Sequence, residues 1–237
     1  MTQLQLGDII IDVEQKDIKN IHLSVYPPEG KVRIAAPKHI DLDTLRVYAL
    51  AKLPWIKKQQ GKIRNQERET PREFLNRESH YFQGKRYLLK IVDVEQRPRI
   101  ELQHNTMVLY VRPGTPVEKR QRILDEWYRK RLKDVLPDLI AKWEKRLNVK
   151  VNEFGIKKMK TKWGTCNRDA QRIWLNLELA KKPPECLEYV VVHEMVHLLE
   201  RNHNDRFSSL MDANLPKWSF YKDELNRLPV KHEHWNY

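Results

Sequence analysis

The chain has 237 residues, 40% of them hydrophobic and 9% aromatic, and carries a net charge of +13. That composition excludes an unfolded polymer, and no apolar run is long enough to cross a bilayer, so no membrane partner is expected. Two cysteines, Cys166 and Cys186, are too few for a disulfide framework or for a zinc site made of cysteine alone.

The start, "MTQLQLGDIIIDVEQ", has no basic region followed by a long apolar core. No secretory signal is read there, and a reducing cytoplasm is the expected location. Three short β-branched runs follow, "DIIIDVEQ", "NIHLSVYP" and "KVRIAAP", separated by turn signals such as "PPEG". "DLDTLRVYALAKLPWIKKQQGKIRNQ" has helical spacing, with Asp41 as N-cap and Pro54 as a point of kink or break. Residues 65–74 are polar and proline-bearing and read as a connector. "KRYLLKIVDVE" and "MVLYVRP" read as strands, flanking a further short strand in "QRPRIELQHN".

"RPGTP", Arg112 to Pro116, is the clearest break in the chain, which places the expected domain boundary there: 1–115, β-rich with one helix, and 116–237. A long basic helix is expected from Val117 to about Leu147. Its apolar stripe runs through Ile123, Trp127, Leu132, Val135, Leu139, Ile140, Trp143 and Leu147, with a kink at Pro137. "EFGIKKMKTKWGTC" and "QRIWLNLELA" each contain a strand, joined by the turn-rich "CNRDAQ". Pro183 and Pro184 then open a helix, and a last helical region begins near Asp205, interrupted at "ANLPKW". No internal repeat is evident. The fold class is α+β: a β-rich N-terminal region, then a domain with a small sheet and one functional helix.

That helix carries "VVHEMVHLLERNHNDRF". His193 and His197 are four apart and share one helix face, so both imidazoles can reach one zinc ion. Glu194 is turned about 100° from His193 and is placed to act on a water beside the metal rather than to bind the metal. A third ligand must come from elsewhere. On a continued helix His203 would point roughly 120° away from His197, so it serves only if the helix ends between them. Asn202 offers a left-handed end. Metzincins share this histidine spacing but place a glycine at the turn, and here Glu200 stands in that position. The competing reading, chance decoration of a helix, leaves two histidines and a glutamate buried in "YVVVHEMVHLL" without partners, at a cost of several kcal/mol.

The second half of the chain resembles the YgjP-like metallopeptidases, themselves distantly similar to SprT/Spartan-type proteases. "TKWGTC" resembles the family's basic residue followed by Trp-Gly-Ser-Cys. "IWLNLELAKKPPECLEYVVVHEMVHLLERNHNDRF" resembles its strand, its proline-rich lead and its Tyr-Val-Val-x-His-Glu-x-x-His with a third histidine and an aromatic. Thr165 replaces the usual serine, and Ser208 the tryptophan that commonly follows Phe207. The resemblance implies a zincin-like fold, Zn2+ held by His193, His197 and His203, and Glu194 as general base.

The expected function is zinc-dependent hydrolysis of peptide bonds in a peptide or protein substrate, through a zinc-bound water activated by Glu194. Trp163, Gly164 and Thr165 are candidate substrate contacts, as a strand to which a peptide can add, and Tyr221 is a candidate oxyanion donor. Asn176 is a candidate partner for a ligand histidine, and Asp212 or Glu224 would stand in if His203 were no ligand. Cys166 is not expected to be a nucleophile, and His232 and His234, in the polar tail, are not expected to bind metal. Two alternatives stand. One is a protease recruited to DNA, supported by the net charge and the basic run from Lys119 to Lys133. The other is a non-catalytic protein with a structural zinc.

Overall fold

The computed structural model describes residues 2–26, 29–65, 73–159 and 162–227. These form an α+β fold that divides into two compact units, residues 2–65 and residues 73–227.

In the first unit, strands β1 (Thr2–Leu6) and β2 (Ile9–Lys16) make a hairpin about Gly7. Strands β3 (His22–Tyr26) and β4 (Lys31–Pro37) make another, and β4 lies parallel to β2, giving the order β1-β2-β4-β3. Helix α1 (Leu42–Ala51) is capped by the Asp41 carboxylate, which accepts from Thr44 N at 2.7 Å. Pro54 falls in the first turn of α2 (Leu53–Asn65), where its missing N–H leaves no gap in the helix. The expected disruption is therefore a clean break at Lys52. Leu45, Ala49 and Ile56 cover Leu4, Ile11 and Ile34 of the sheet. Strand β1 was not expected, because its pattern holds just two apolar residues.

The second unit opens with β5 (Ser79–Phe82), β6 (Lys85–Asp93), β7 (Arg99–Gln103) and β8 (Thr106–Val111), in the order β5-β6-β8-β7. The pairings are antiparallel, parallel and antiparallel, as in the first unit. The two sheets thus repeat one connection of strands, although the residues show no repeat.

Helix α3 (Val117–Leu147) follows and runs on through Pro137, which is exposed, so the carbonyl left unbonded there can be hydrated. Its buried face is Leu124, Tyr128, Leu132, Leu136, Ile140, Trp143 and Leu147. Leu132, Ile140, Trp143 and Leu147 of the expected stripe are on this face, whereas Ile123, Trp127 and Leu139 pack only at its margin and Val135 is 40% exposed. Tyr128 explains the difference. Its ring lies in the core and its hydroxyl donates to Tyr81 O at 2.6 Å, so a residue with a polar end belongs to the apolar face.

The same contact moves the domain boundary. Leu89, Met107 and Leu109 of the sheet share one core with Leu124, Tyr128 and Leu132 of α3, and Arg120 donates to Phe74 O at 3.2 Å. The turn at Arg112–Pro116 is internal to this unit, and the two units part in the polar segment read as a connector.

A third sheet comprises β9 (Glu153–Lys157), β10 (Gly164–Asn167) and β11 (Arg172–Asn176), with β11 central and β10 outermost. The stretch expected to hold one strand before "CNRDAQ" holds two. A 3₁₀ helix (Leu177–Lys181) leads into α4 (Pro184–Val196), then α5 (Asp205–Asn214) and α6 (Trp218–Arg227). No helix among the described residues is long and apolar enough to cross a membrane.

The register of α3 is testable. Leu132→Ala is expected to cost about 2–5 kcal/mol in urea unfolding, and Val135→Ala less than about 0.5 kcal/mol. Equal costs would restore the earlier stripe.

Candidate metal centre and cleft

Helix α4 is held from two sides. From α3, the Trp143 indole N–H donates to the Glu188 carboxylate at 2.9 Å, and Lys142 Nζ donates to the same oxygen at 2.6 Å. From the β5–β6 turn, Gln83 N and Gly84 N donate to Ala180 O (2.9 Å) and Lys181 O (3.0 Å). Gly84 has φ +76°, and a Cβ there would lie 3.0 Å from the Pro183 ring, so only glycine lets the turn sit on the start of α4.

The helix ends earlier than Asn202. Leu198 N and Leu199 N bond three residues back, to Met195 O and Val196 O, which tightens the last turn. No residue from 197 to 204 takes a left-handed conformation. The end is set instead by side-chain bonds: His197 Nδ1 faces Glu200 O at 3.0 Å, and Glu200 Oε1 accepts from Asn202 N at 3.1 Å. Asn204 then caps α5 by accepting from Phe207 N at 3.0 Å. The chain reverses, and His203 is brought back over the face that carries His193 and His197.

The three imidazoles converge, with ring centroids 4.7–4.9 Å apart. One nitrogen from each lies within 4.8 Å of the others, and the Nε2 atoms of His193 and His203 are 3.0 Å apart. Nitrogens bound tetrahedrally to one ion at about 2.0–2.1 Å stand roughly 3.3 Å apart, so the cluster fits a metal. The Nδ1–H of His197, donating to Glu200 O, leaves Nε2 with the free lone pair that a ligand needs. His193 Nδ1 is buried with no partner. Burial, reinforced by His197 and His203, pushes the His193 pKa down to about 3, and His203 is lowered by burial, His197 and Lys222, so these rings are neutral and ligand-competent. Phe207, 2% exposed, lies 4.7–5.0 Å from all three rings and forms their floor.

Glu194 leaves the helix on another side, as its 100° offset requires, and is not among the converging donors. It is 6% exposed and packs against β10: a Cβ on Gly164 would lie 2.6 Å from its Cγ and Oε1. Gly164 is thus the space in which the carboxylate sits. Burial raises its pKa to about 8, against the opposing pull of Lys162.

Both groups open into one cleft of about 1080 Å³, lined on one wall by 162–169 and on the other by α4 and the following loop. Trp163, Gly164 and Thr165 line it as expected. Tyr221 does not: its ring packs into the core, and its carbonyl faces Cys186. The tyrosine that lines the cleft is Tyr189, one turn before His193, edge-on to that ring at 5.7 Å and stacked on Trp218. The i, i+4, i+8 spacing of Tyr189, His193 and His197 carried this signal.

Asn176 is no partner of a histidine. Its side chain bonds Met159 N and O and Lys162 O, fixing the approach to β10. Asp212 accepts from Trp218 Nε1, and Glu224 lies by Cys186, so neither joins the cluster. Burial and the nearby Glu194 push the Cys166 thiol up to about 11, which keeps it protonated. His232 and His234 lie outside the described residues.

Three facing imidazoles with a buried carboxylate beside an open cleft are the side-chain set of a metal-dependent hydrolase. The family described as "YgjP-like, metallopeptidase domain" matches residues 19–228, and the chain belongs to it. Membership implies a divalent metal and a protein or peptide substrate. Among solved structures the chain is similar to the metallopeptidase zymogen of Methanocaldococcus jannaschii jannalysin, at 20% identity and a TM-score of 0.34, covering 38% of this chain and 91% of that one. A comparison with curated proteins finds no match.

Gly164→Ala is expected to cost about 1–3 kcal/mol through overpacking, and the cost should shrink in a Glu194→Ala background, where the colliding atoms are gone. Gly61→Ala, with open space around its Cβ, is expected to be neutral or stabilising. A Gly164 penalty that is independent of Glu194, measured by a denaturation cycle, would refute the contact.

Proposed function

We propose that the chain is a zinc-dependent peptidase in which His193, His197 and His203 hold the ion and Glu194 is the general base. The observation that carries this is the pair of arrangements in one cleft: the His193 and His203 nitrogens 3.0 Å apart, and the Glu194 carboxylate seated against Gly164. An all-imidazole set of three, with no fourth protein donor among the described residues, favours a catalytic zinc over a closed structural one.

Zinc bound there supplies a Lewis acid and makes a neighbouring water more acidic. A cation held by the three imidazoles would favour the ionised form of Glu194 against the burial that raises its pKa, and the carboxylate then takes the proton of the attacking water and returns it to the leaving amine. Its confinement limits the directions it can face, which keeps the base aligned with the cleft. Substrate lies along β10 in this reading. That strand is outermost in its sheet and lines the cleft, so the edge turned away from β11 can pair with an extended peptide, with Trp163, Gly164 and Thr165 in contact.

Purified protein is expected to carry one zinc per chain by elemental analysis, with His193→Ala, His197→Ala and His203→Ala each losing most of it. Full zinc in His203→Ala would remove that residue from the set.

Glu194→Gln is the second test. Glutamine keeps the shape but accepts no proton, so zinc and thermal stability should persist while hydrolysis falls by about 10²–10⁴-fold. Unchanged turnover would overturn the base assignment. Loss of zinc would make Glu194 a ligand.

A further inference from the structure

We infer that the cleft selects peptides with acidic side chains on both sides of the scissile bond, through Lys162, Arg168 and Arg201. The inference deepens the peptidase reading above and rests on it.

Lys162 stands two residues before Gly164, and Arg168 directly follows the last residue of β10. Arg201 lies on the loop between α4 and α5, on the opposite wall. All three are exposed and line the cleft, and among the described residues none of them forms an ion pair. The contrast with nearby cations is sharp. Lys158 is 2.5 Å from Asp125, and Arg172 is 3.3 Å from Glu153, so these two cations beside the third sheet, outside the cleft, are each paired with a carboxylate. Apart from Glu194, Asp169 is the single carboxylate among the lining residues. The charges are turned inward: Lys162 is felt at Glu194, and Arg168 at Cys166. Three cations without an ion pair among the described residues face two lining carboxylates, Asp169 and Glu194, and although Arg168 is also felt at Glu200, the balance in the cleft is positive even before a metal adds to it.

Position turns this field into a specificity. Glu194 sits at Gly164, so the reacting bond of a peptide paired with β10 lies near that residue. At about 3.3 Å per residue, Lys162 is then roughly 7 Å to one side and Arg168 roughly 13 Å to the other. Acidic side chains about two residues from the scissile bond on one side, and about four on the other, meet these charges. An exposed ion pair changes affinity by roughly 1.5- to 5-fold, and three acting together give a preference on the order of ten-fold at low salt. Salt screens it, because the Debye length falls to about 10 Å at 0.1 M. A polynucleotide would meet the same charges, but the cations surround a strand edge and a buried base, which serve a polypeptide.

The test uses one fluorescent peptide frame with Glu, Gln or Lys at those flanking positions. Hydrolysis is measured with zinc-loaded wild type, and binding by anisotropy with Glu194→Gln, each at low and high salt. The expected order is Glu, then Gln, then Lys, with about ten-fold between the extremes, compressed by salt. Arg168→Glu combined with Arg201→Glu should reverse the order while zinc content and melting temperature hold. Equal cleavage of the Glu and Lys peptides overturns the inference and leaves the peptidase reading standing. An acidic preference in binding with no cleavage of any peptide supports the inference and refutes the peptidase. Binding of none of the peptides overturns the inference. So does tight binding of single-stranded DNA, lost in the double variant, without a preference among peptides, which would assign the cations to nucleic acid.

Discussion

Helix α4 is apolar on nearly all sides, with nine of its thirteen residues buried, yet it must carry an imidazole and a carboxylate at adjacent positions and end on a second imidazole. A buried polar group without a partner costs several kcal/mol. The helix meets this constraint by sending its polar groups to one opening in two directions. His193 and His197 turn toward His203, and Glu194 turns toward the one residue of β10 that has no side chain. The partnerless Nδ1 of His193 shows how little the protein itself offers these rings, and the three converging nitrogens show what they are arranged to receive.

Such an arrangement works only if the helix cannot shift. A displacement of about 1 Å is enough to spoil a reactive geometry. Trp143 and Lys142 both bond Glu188, one near-fully buried and the other at the surface, so α3 fixes the helix along one side. The β5–β6 turn seats on Pro183 and fixes its start. Phe207, carried by α5, fills the space behind the three rings and fixes their orientation. The sheet β5–β8 lies far from the cluster in sequence but contributes directly to its position, which is why it and the cleft belong to one core.

The two four-stranded sheets use the same connection: a hairpin, then a second hairpin whose later strand inserts parallel to the first. Gly7 and Gly84, with φ of 62° and 76°, follow the first strand of each, and Pro37 and Pro113 close the fourth or follow it. A helix comes next in both. In the first unit it is short and covers its own sheet. In the second it is 31 residues long, and its distal half reaches the third sheet and α4. The longer helix is what places the second four-stranded sheet, the third sheet and α4 in one core.

Several features were legible in the sequence because they are local. Helical spacing places His193 and His197 on one face and Glu194 off it. Asp41 caps, Pro54 breaks and Pro184 starts a helix through bonds to their own neighbours, and those placements hold. The return of His203 was legible as a requirement but not in its means, because the turn is closed by Glu200 and Asn204 rather than by a left-handed Asn202. In the stripe of α3, Leu132, Ile140, Trp143 and Leu147 hold, while Ile123, Trp127, Val135 and Leu139 fall to its margin or outside, because Tyr128 and Val135 have the polarity of the wrong side and only the partner Tyr81 O decides between them. The boundary expected at Arg112–Pro116 departs from the observed division for a similar reason. A turn signal reports a change of direction, whereas a domain ends where packing ends, and here the packing continues across the turn. Tyr221 and Asn176 were misplaced because sequence distance from the histidines says nothing of which side of α4 a residue meets. Long-range contacts also decided the seat of Glu194 on Gly164 and the gathering of Lys162, Arg168 and Arg201 around one opening. Those residues are far apart along the chain, and their proximity exists only once β10 and the loop after α4 are packed on the same helix.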